Sequence, residues 1–319
     1  MIETITLFEL DSRDKIRTLI RVFNDYFLLV IRKHRPNGVS SQALADAKII
    51  HQMIFSKLLH IEKLVEGVNI NLKGSGRTII DPMIIASLVR GVYETVCLFH
   101  LVYTLPDSEE KHNLVYLLWK SAGLKHRQKF IPTVDAAIEK LKDNQEEVRK
   151  VKSQLENERK ECEKIKKKIE SSDLFKSLSE KSQKQIHTQL KQKDYKVRFD
   201  NLDVKPLSWQ EVSETMNLKN DLFGGIYTYF SFYAHPSHIS VNQFNDIYLE
   251  GGKAAKSLLA QNMRHFFTLI SIFVADYIKL FPEVMEIYKS QTPENQSILD
   301  FLNVLMRGAD FTIRNSTNR

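Results

Sequence analysis

Two charged residues four apart, Arg90 and Glu94, interrupt "LVRGVYETVCLF", the most apolar helix-forming stretch of the chain. On a helix this spacing puts both side chains on one face. Burying either charge alone is costly, so they must pair with each other or meet another polar group. A second apolar stretch, "YFSFYAHPSHIS" over Tyr229 to Ser240, supplies candidates in His235 and His238. His100, on the same helix as Arg90, is a further one. A carboxylate beside an imidazole fixes its tautomer and favours its charged form, whereas a guanidinium opposes that charge. Such a cluster can do general acid–base chemistry. His235 would be the acid or base, Arg90 would steady charge developing on a phosphate, and Glu94 would orient its neighbours. Ser231, Tyr233, Ser237 and His238 are the candidate binding residues around it. The same groups also support a structural reading, in which a buried Arg–Glu–His network locks helices together without chemistry.

A metal reading fares worse. His235 and His238 give two ligands with Pro236 between them, and no cysteine pair or HExxH pattern completes a set. Neither a metal nor another cofactor is expected. The chain has no GxxxxGK[ST] loop, no GxSxG elbow and no dinucleotide fingerprint, and "GSGR" at 74–77 lacks the phosphate-loop spacing. Cys97 lies within the apolar helix, where a thiol is usually inert. Tyr227, Tyr229, Phe230, Phe232 and Tyr233 could stack bases, but such density more often marks core. His51 and His60 read as core or surface histidines.

The elements that must position these groups are helical. Ile16, Leu19, Ile20, Phe23, Phe27 and Val30 predict a helix over 12–35. Ser40 or Ser41 caps a second helix, whose stripe runs Leu44, Ala47, His51, Ile54, Leu58, Ile61 and Val65. "NLKGSGRTIIDP" reads as a loop ending in Asp81 as N-cap and Pro82 at the first helical position. The helix from 82 to about 105 is apolar nearly all round and should be central. Another starts near Ser108, with Glu109 and Glu110 complementing its dipole.

From about 133 the composition changes, and residues 142–170 hold 10 Lys/Arg and 8 Asp/Glu. Val134, Leu141, Val148, Leu155, Cys162 and Ile169 recur every seven residues. The intervening positions Gln145, Lys152, Arg159 and Lys166 are polar, so this is half a coiled-coil seam. A helix about 55 Å long, at ~1.5 Å per residue, should project from the body. Leu174, Phe175, Leu178, Ile186 and Leu190 would lie on a returning arm. Ser208 and Glu211 then fit a capping box. Ile226 to Ala234 reads as a short buried helix, 252–281 as a long core helix, and the stretch from Thr292–Pro293 as the last. "RNSTNR" reads as a frayed tail. No strand pattern stands out.

At 319 residues and 43% hydrophobic, the chain can bury a sizeable core. A net charge of +7 permits RNA or another anionic partner. Two distant cysteines exclude a disulfide framework and suit a reducing cytoplasm. The N-terminus lacks a signal-peptide pattern. The two longest apolar runs carry Arg90 with Glu94 and Asp276 with Lys279, so they read as core helices rather than membrane spans.

"LVRGVYE" followed much later by "YFSFYAHPS" resembles an uncharacterised family of bacterial all-helical proteins. Its members pair Arg-x3-Glu on one helix with Ser-x3-His-Pro-Ser on a later one. The likeness covers about 80–125 and 205–280 and leaves out the charged arm. A weaker resemblance is to the HEPN superfamily of toxin and phage-defence proteins, many of them metal-independent ribonucleases with an Arg-x4-6-His motif. Here nine residues separate Arg90 from His100, and no Arg-Asn-x3-His occurs. The carry-over therefore requires Arg90 and His235 to meet through tertiary packing.

The expected fold is all-α: a helical bundle formed by 1–132 and 199–319, with a coiled-coil-like charged hairpin inserted at 133–198. Two functions remain open. One is a cytoplasmic defence or toxin-type effector with ribonuclease-like chemistry. The other is a noncatalytic interaction protein whose charged arm drives self-association or binds a protein partner.

Overall fold

The computed structural model describes residues 6–34, 41–72, 75–130, 145–219, 224–235, 237–249 and 253–318. The fold is all-α, as the periodicity predicts. The chain forms two compact units, one of Met1–His100 with Trp209–Arg319 and one of Leu101–Ser208.

The first unit opens with α1 (Arg13–Lys33) and α2 (Gln42–Glu66), capped by the Ser12 and Ser41 hydroxyls. The six apolar positions of the α1 stripe are all buried. On α2, His51 is buried with its ring 4.5 Å from that of Phe27 and 4.6 Å from that of Tyr277. Burial pushes its pKa down to about 3, so it is a neutral core residue. A hairpin of β1 (Val68–Leu72) and β2 (Ser75–Ile79) follows, where the sequence reads as loop. The signal was there: Val-Asn-Ile-Asn-Leu alternates strictly. Gly67 turns the chain into it at φ 84, and a Cβ there would lie 2.7 Å from Thr78 Cγ2 and 2.9 Å from the Ile79 carbonyl oxygen. Asp81 caps α3 (Pro82–Phe99) by accepting from the Met83 and Ile84 amides. α3 is buried over most of its circumference and ends in a π-helical turn, His100–Thr104.

The second unit holds α4 (Glu109–Gln128), α5 (Gln145–Ser171), α6 (Asp173–Ser177), α7 (Glu180–Gln192), and a hairpin of β3 (Val197–Asp200) and β4 (Asp203–Pro206). Asn201, at φ 57, takes the left-handed position of the two-residue turn. α5 packs along α4, with Leu155, Glu158, Cys162, Ile165 and Ile169 buried. The seam is thus completed three residues after Leu155 and Cys162, at Glu158 and Ile165, rather than at Arg159 and Lys166. Its 27 residues span about 40 Å at ~1.5 Å each. Val134 and Leu141 fall outside the described residues. The five returning-arm residues are buried, and α7 packs on α4 and β4.

The chain re-enters the first unit at α8 (Trp209–Glu214), followed by α9 (Ile226–Ala234), α10 (His238–Leu249), α11 (Lys253–Leu280), α12 (Met285–Lys289) and α13 (Pro293–Arg307). On α9 only Ile226 and Phe230 are fully buried, so it lies at the surface rather than inside. α10 has no counterpart in the sequence reading. Its large apolar residues Ile239, Val241 and Phe244 are exposed and form no single stripe. Where the sequence reads as a frayed tail, Ile313–Asn318 forms a 3-10 turn, anchored by the Ile313 amide on the Asp300 carboxylate, and Arg319 lies outside the described residues. Pro82–Thr104 and α11 are long and apolar enough to cross a membrane, and most of their residues are buried within the fold.

Candidate functional site

Arg90 is the hub of the candidate site. Its Nε donates to Glu94 Oε1 at 3.0 Å on α3, the i, i+4 pair that the spacing predicts. Its Nη1 lies 3.1 Å from His235 Nε2, and its Nη2 donates to the Tyr227 hydroxyl at 3.1 Å. The Arg90 side chain is 16% exposed and that of Glu94 37%, and His235 is exposed. The network therefore lies at the surface of the unit, not buried as the structural reading assumed. Since a guanidinium only donates, His235 Nε2 must accept, which places the ring hydrogen of the neutral imidazole on Nδ1.

α9 delivers both partners. Tyr227, Ser231 and His235 follow one another at steps of four, so they track along one side of the helix. The Ser231 hydroxyl donates back to the Tyr227 carbonyl, and the His235 amide to the Ser231 carbonyl. His235 then leaves the helix in an extended conformation, φ −123 and ψ 142. Two further hydrogen bonds fasten α9, one of them through Asn262 to α3. Tyr229 donates to Asn262 Oδ1 at 2.7 Å, and the buried Asn262 amide donates to the Pro82 carbonyl at 2.8 Å. The Ser87 hydroxyl on α3 donates to the Tyr233 carbonyl at 3.1 Å.

The remaining candidates serve local structure. Tyr233 is half-buried, its ring 5.2 Å from that of Tyr229, and burial raises its pKa. Ser237 begins α10, its hydroxyl accepting from the Ser240 amide at 3.0 Å. His238 is exposed and faces Asn242. So Arg90, Glu94 and His235 converge, whereas among the described residues the side chains of Ser231, Ser237 and His238 hydrogen-bond only within α9, α10 and their ends. Among the described residues, no three His, Cys, Asp or Glu side chains form a metal-binding group.

His100 is not a partner of Arg90. Its Nδ1 lies 3.0 Å from Asp276 Oδ2, and Arg307 Nη1 donates to the other carboxylate oxygen at 2.8 Å. All three are buried. Burial would raise the Asp276 pKa, but Arg307 and His100 outweigh it and hold the carboxyl below its usual range.

Two residues of the site escaped the sequence reading. In sequence Tyr227 reads as one of a cluster of stacking or core aromatics, although its spacing from Ser231 and His235 is a usable signal. Lys57 lies off the apolar stripe of α2, yet its Nζ donates to the Gly91 carbonyl at 2.6 Å and to Thr95 Oγ1 at 2.5 Å. Burial lowers the Lys57 pKa, and Glu94 partly offsets that.

The segment carrying this geometry matches a family model. A model described as "Family of unknown function (DUF5677)" covers residues 80–253, more than half of the chain. The chain belongs to this family. No curated protein and no solved structure matches it. The DUF5677 segment contains Arg90, Glu94, Tyr227 and His235, and it also runs through the charged segment that the resemblance left out. Lys57 lies before it.

Proposed function

We propose that this chain binds RNA at the open face of α3 and cleaves it by metal-independent acid–base chemistry. One observation carries the reading: Nε2 of an exposed histidine, His235, lies 3.1 Å from the guanidinium of Arg90, which Glu94 orients. A base beside a fixed cation suits attack by a ribose 2′-hydroxyl on its own phosphate. The incoming 2′-hydroxyl displaces Arg90 from His235 Nε2, which takes the hydroxyl proton as the new O–P bond forms. Arg90 steadies the charge on the phosphoryl oxygens, and the 5′-oxygen leaves with a proton from water. The products are a 2′,3′-cyclic phosphate and a free 5′-hydroxyl. The resemblance to HEPN proteins supports the same chemistry and, with it, a role as a toxin or phage-defence effector.

A second reading has its own support. Every nitrogen of the Arg90 side chain is engaged, and its partners Tyr227 and His235 stand at the two ends of α9. That is also how a noncatalytic interaction protein would brace a surface helix. The readings separate on His235→Ala. The first expects RNA cleavage to vanish with the thermal melt nearly unchanged. The second expects a lower melting temperature and no RNA cleavage by either protein.

A further inference from the structure

We propose that Lys57 is a phosphate-binding residue of this site, an inference that rests on the RNA reading above. α3 is flanked on both sides at the same level. From α9 come Tyr227 and His235, which reach Arg90; from α2 comes Lys57, which reaches Gly91, the next residue along. Successive helix residues point about 100° apart, so Lys57, on Gly91 and Thr95, sits on the flank of α3 next to the face that carries Arg90 and Glu94.

Charge gives the site a preference. Arg90 pairs with Glu94, whose charge also acts on Lys57, which leaves one positive charge across the three groups. A phosphodiester carries one negative charge. The hydrogen-bond inventory points the same way. An ammonium has three hydrogens, and Lys57 spends two on the Gly91 carbonyl and the Thr95 hydroxyl. Thr95 in turn donates to the Gly91 carbonyl at 2.7 Å, so its oxygen is left to accept from Lys57. These contacts hold the half-buried ammonium in place, and among the described residues its third hydrogen has no partner, so it is open to a ligand. An ordered, partly desolvated cation binds phosphate more strongly than a solvated one.

The test is the salt dependence of binding to a 2′-O-methyl single-stranded RNA, which cannot be cleaved. Fluorescence anisotropy is measured for the full chain, for Lys57→Met, and for Lys63→Met as a control at an exposed lysine of α2. Loss of one phosphate contact should weaken binding and make the slope of log K against log salt shallower by about 0.7. Lys63→Met should match the parent. Lys57→Gln, which keeps a donor for the Gly91 carbonyl without the charge, must show the same change; it serves in place of Lys57→Met if that variant loses its cooperative melt. An unchanged slope in the Lys57 variants, with RNA still bound by the parent, overturns the assignment of Lys57 alone. A parent chain that binds no RNA overturns both this assignment and the reading beneath it.

Discussion

Arg90 and His235, 145 residues apart in sequence, meet at 3.1 Å between Nη1 and Nε2 on an open face of the first unit. The contact fixes the imidazole with its lone pair toward a cation. It also ties the C-terminal end of α9 to α3. Chemistry and bracing share one hydrogen bond, and the predictions below separate them.

Arg90→Met keeps the stem of the side chain and removes its three hydrogen bonds. The site is partly solvated, so water replaces some of what is lost. The expected loss is about 1–2 kcal/mol in urea unfolding, together with complete loss of RNA cleavage. Retained cleavage would remove Arg90 from the mechanism.

His51 predicts an acid limb of stability. Its folded pKa is held down to about 3, and an unfolded histidine titrates near 6.5. Below about pH 6.5 the unfolded chain therefore binds the extra proton, and stability falls until about pH 3. The slope is about 1.4 kcal/mol per pH unit for one such group. His265, lowered to about 4 mainly by burial, adds to it over a narrower window. His51→Phe should preserve the stacking on Phe27 and flatten the fall in urea midpoint between pH 6 and 4. An unchanged pH dependence would count against a neutral buried His51.

Glu158 sits buried in the seam of α5 against α4, paired with Arg127 at 3.0 Å, while its buried Oε2 has no hydrogen-bond partner among the described residues. Arg127 is largely exposed and can return to water. Glu158→Leu should therefore stabilise the second unit by about 1–2 kcal/mol, read as a higher thermal midpoint by circular dichroism. A lower midpoint would mean that the ion pair contributes more than the carboxylate costs to bury.

Some of this architecture can be read from sequence for physical reasons. Caps at Ser41, Asp81 and Ser108 and the apolar stripes of α1 and α2 are local, so helix boundaries followed closely. Arg90 and Glu94 were legible because two charges in an apolar helix demand partners. The identity of a third partner was not a local property. His100 lies ten residues beyond Arg90, about 80° round the helix at 3.6 residues per turn, and so faces Asp276 on α11. Lys57 looked like an ordinary polar position, because its contacts depend on how α2 crosses α3. α10 carries its apolar residues on several sides, so no periodicity announced it. The seam of α5 differs by one residue from the sequence expectation, because packing on α4 uses a step of three after Leu155 and Cys162 rather than four.

The most direct test of the proposed chemistry is the end group left on RNA. A 5′-labelled single-stranded RNA is incubated with the full chain in the presence of a chelator, and the 3′ ends of the fragments are identified by mass spectrometry. The account predicts 2′,3′-cyclic phosphate ends from the parent and no fragments from His235→Ala, with thermal midpoints within a few degrees of each other. Intact RNA with the parent chain, or equal cleavage by His235→Ala, would contradict it.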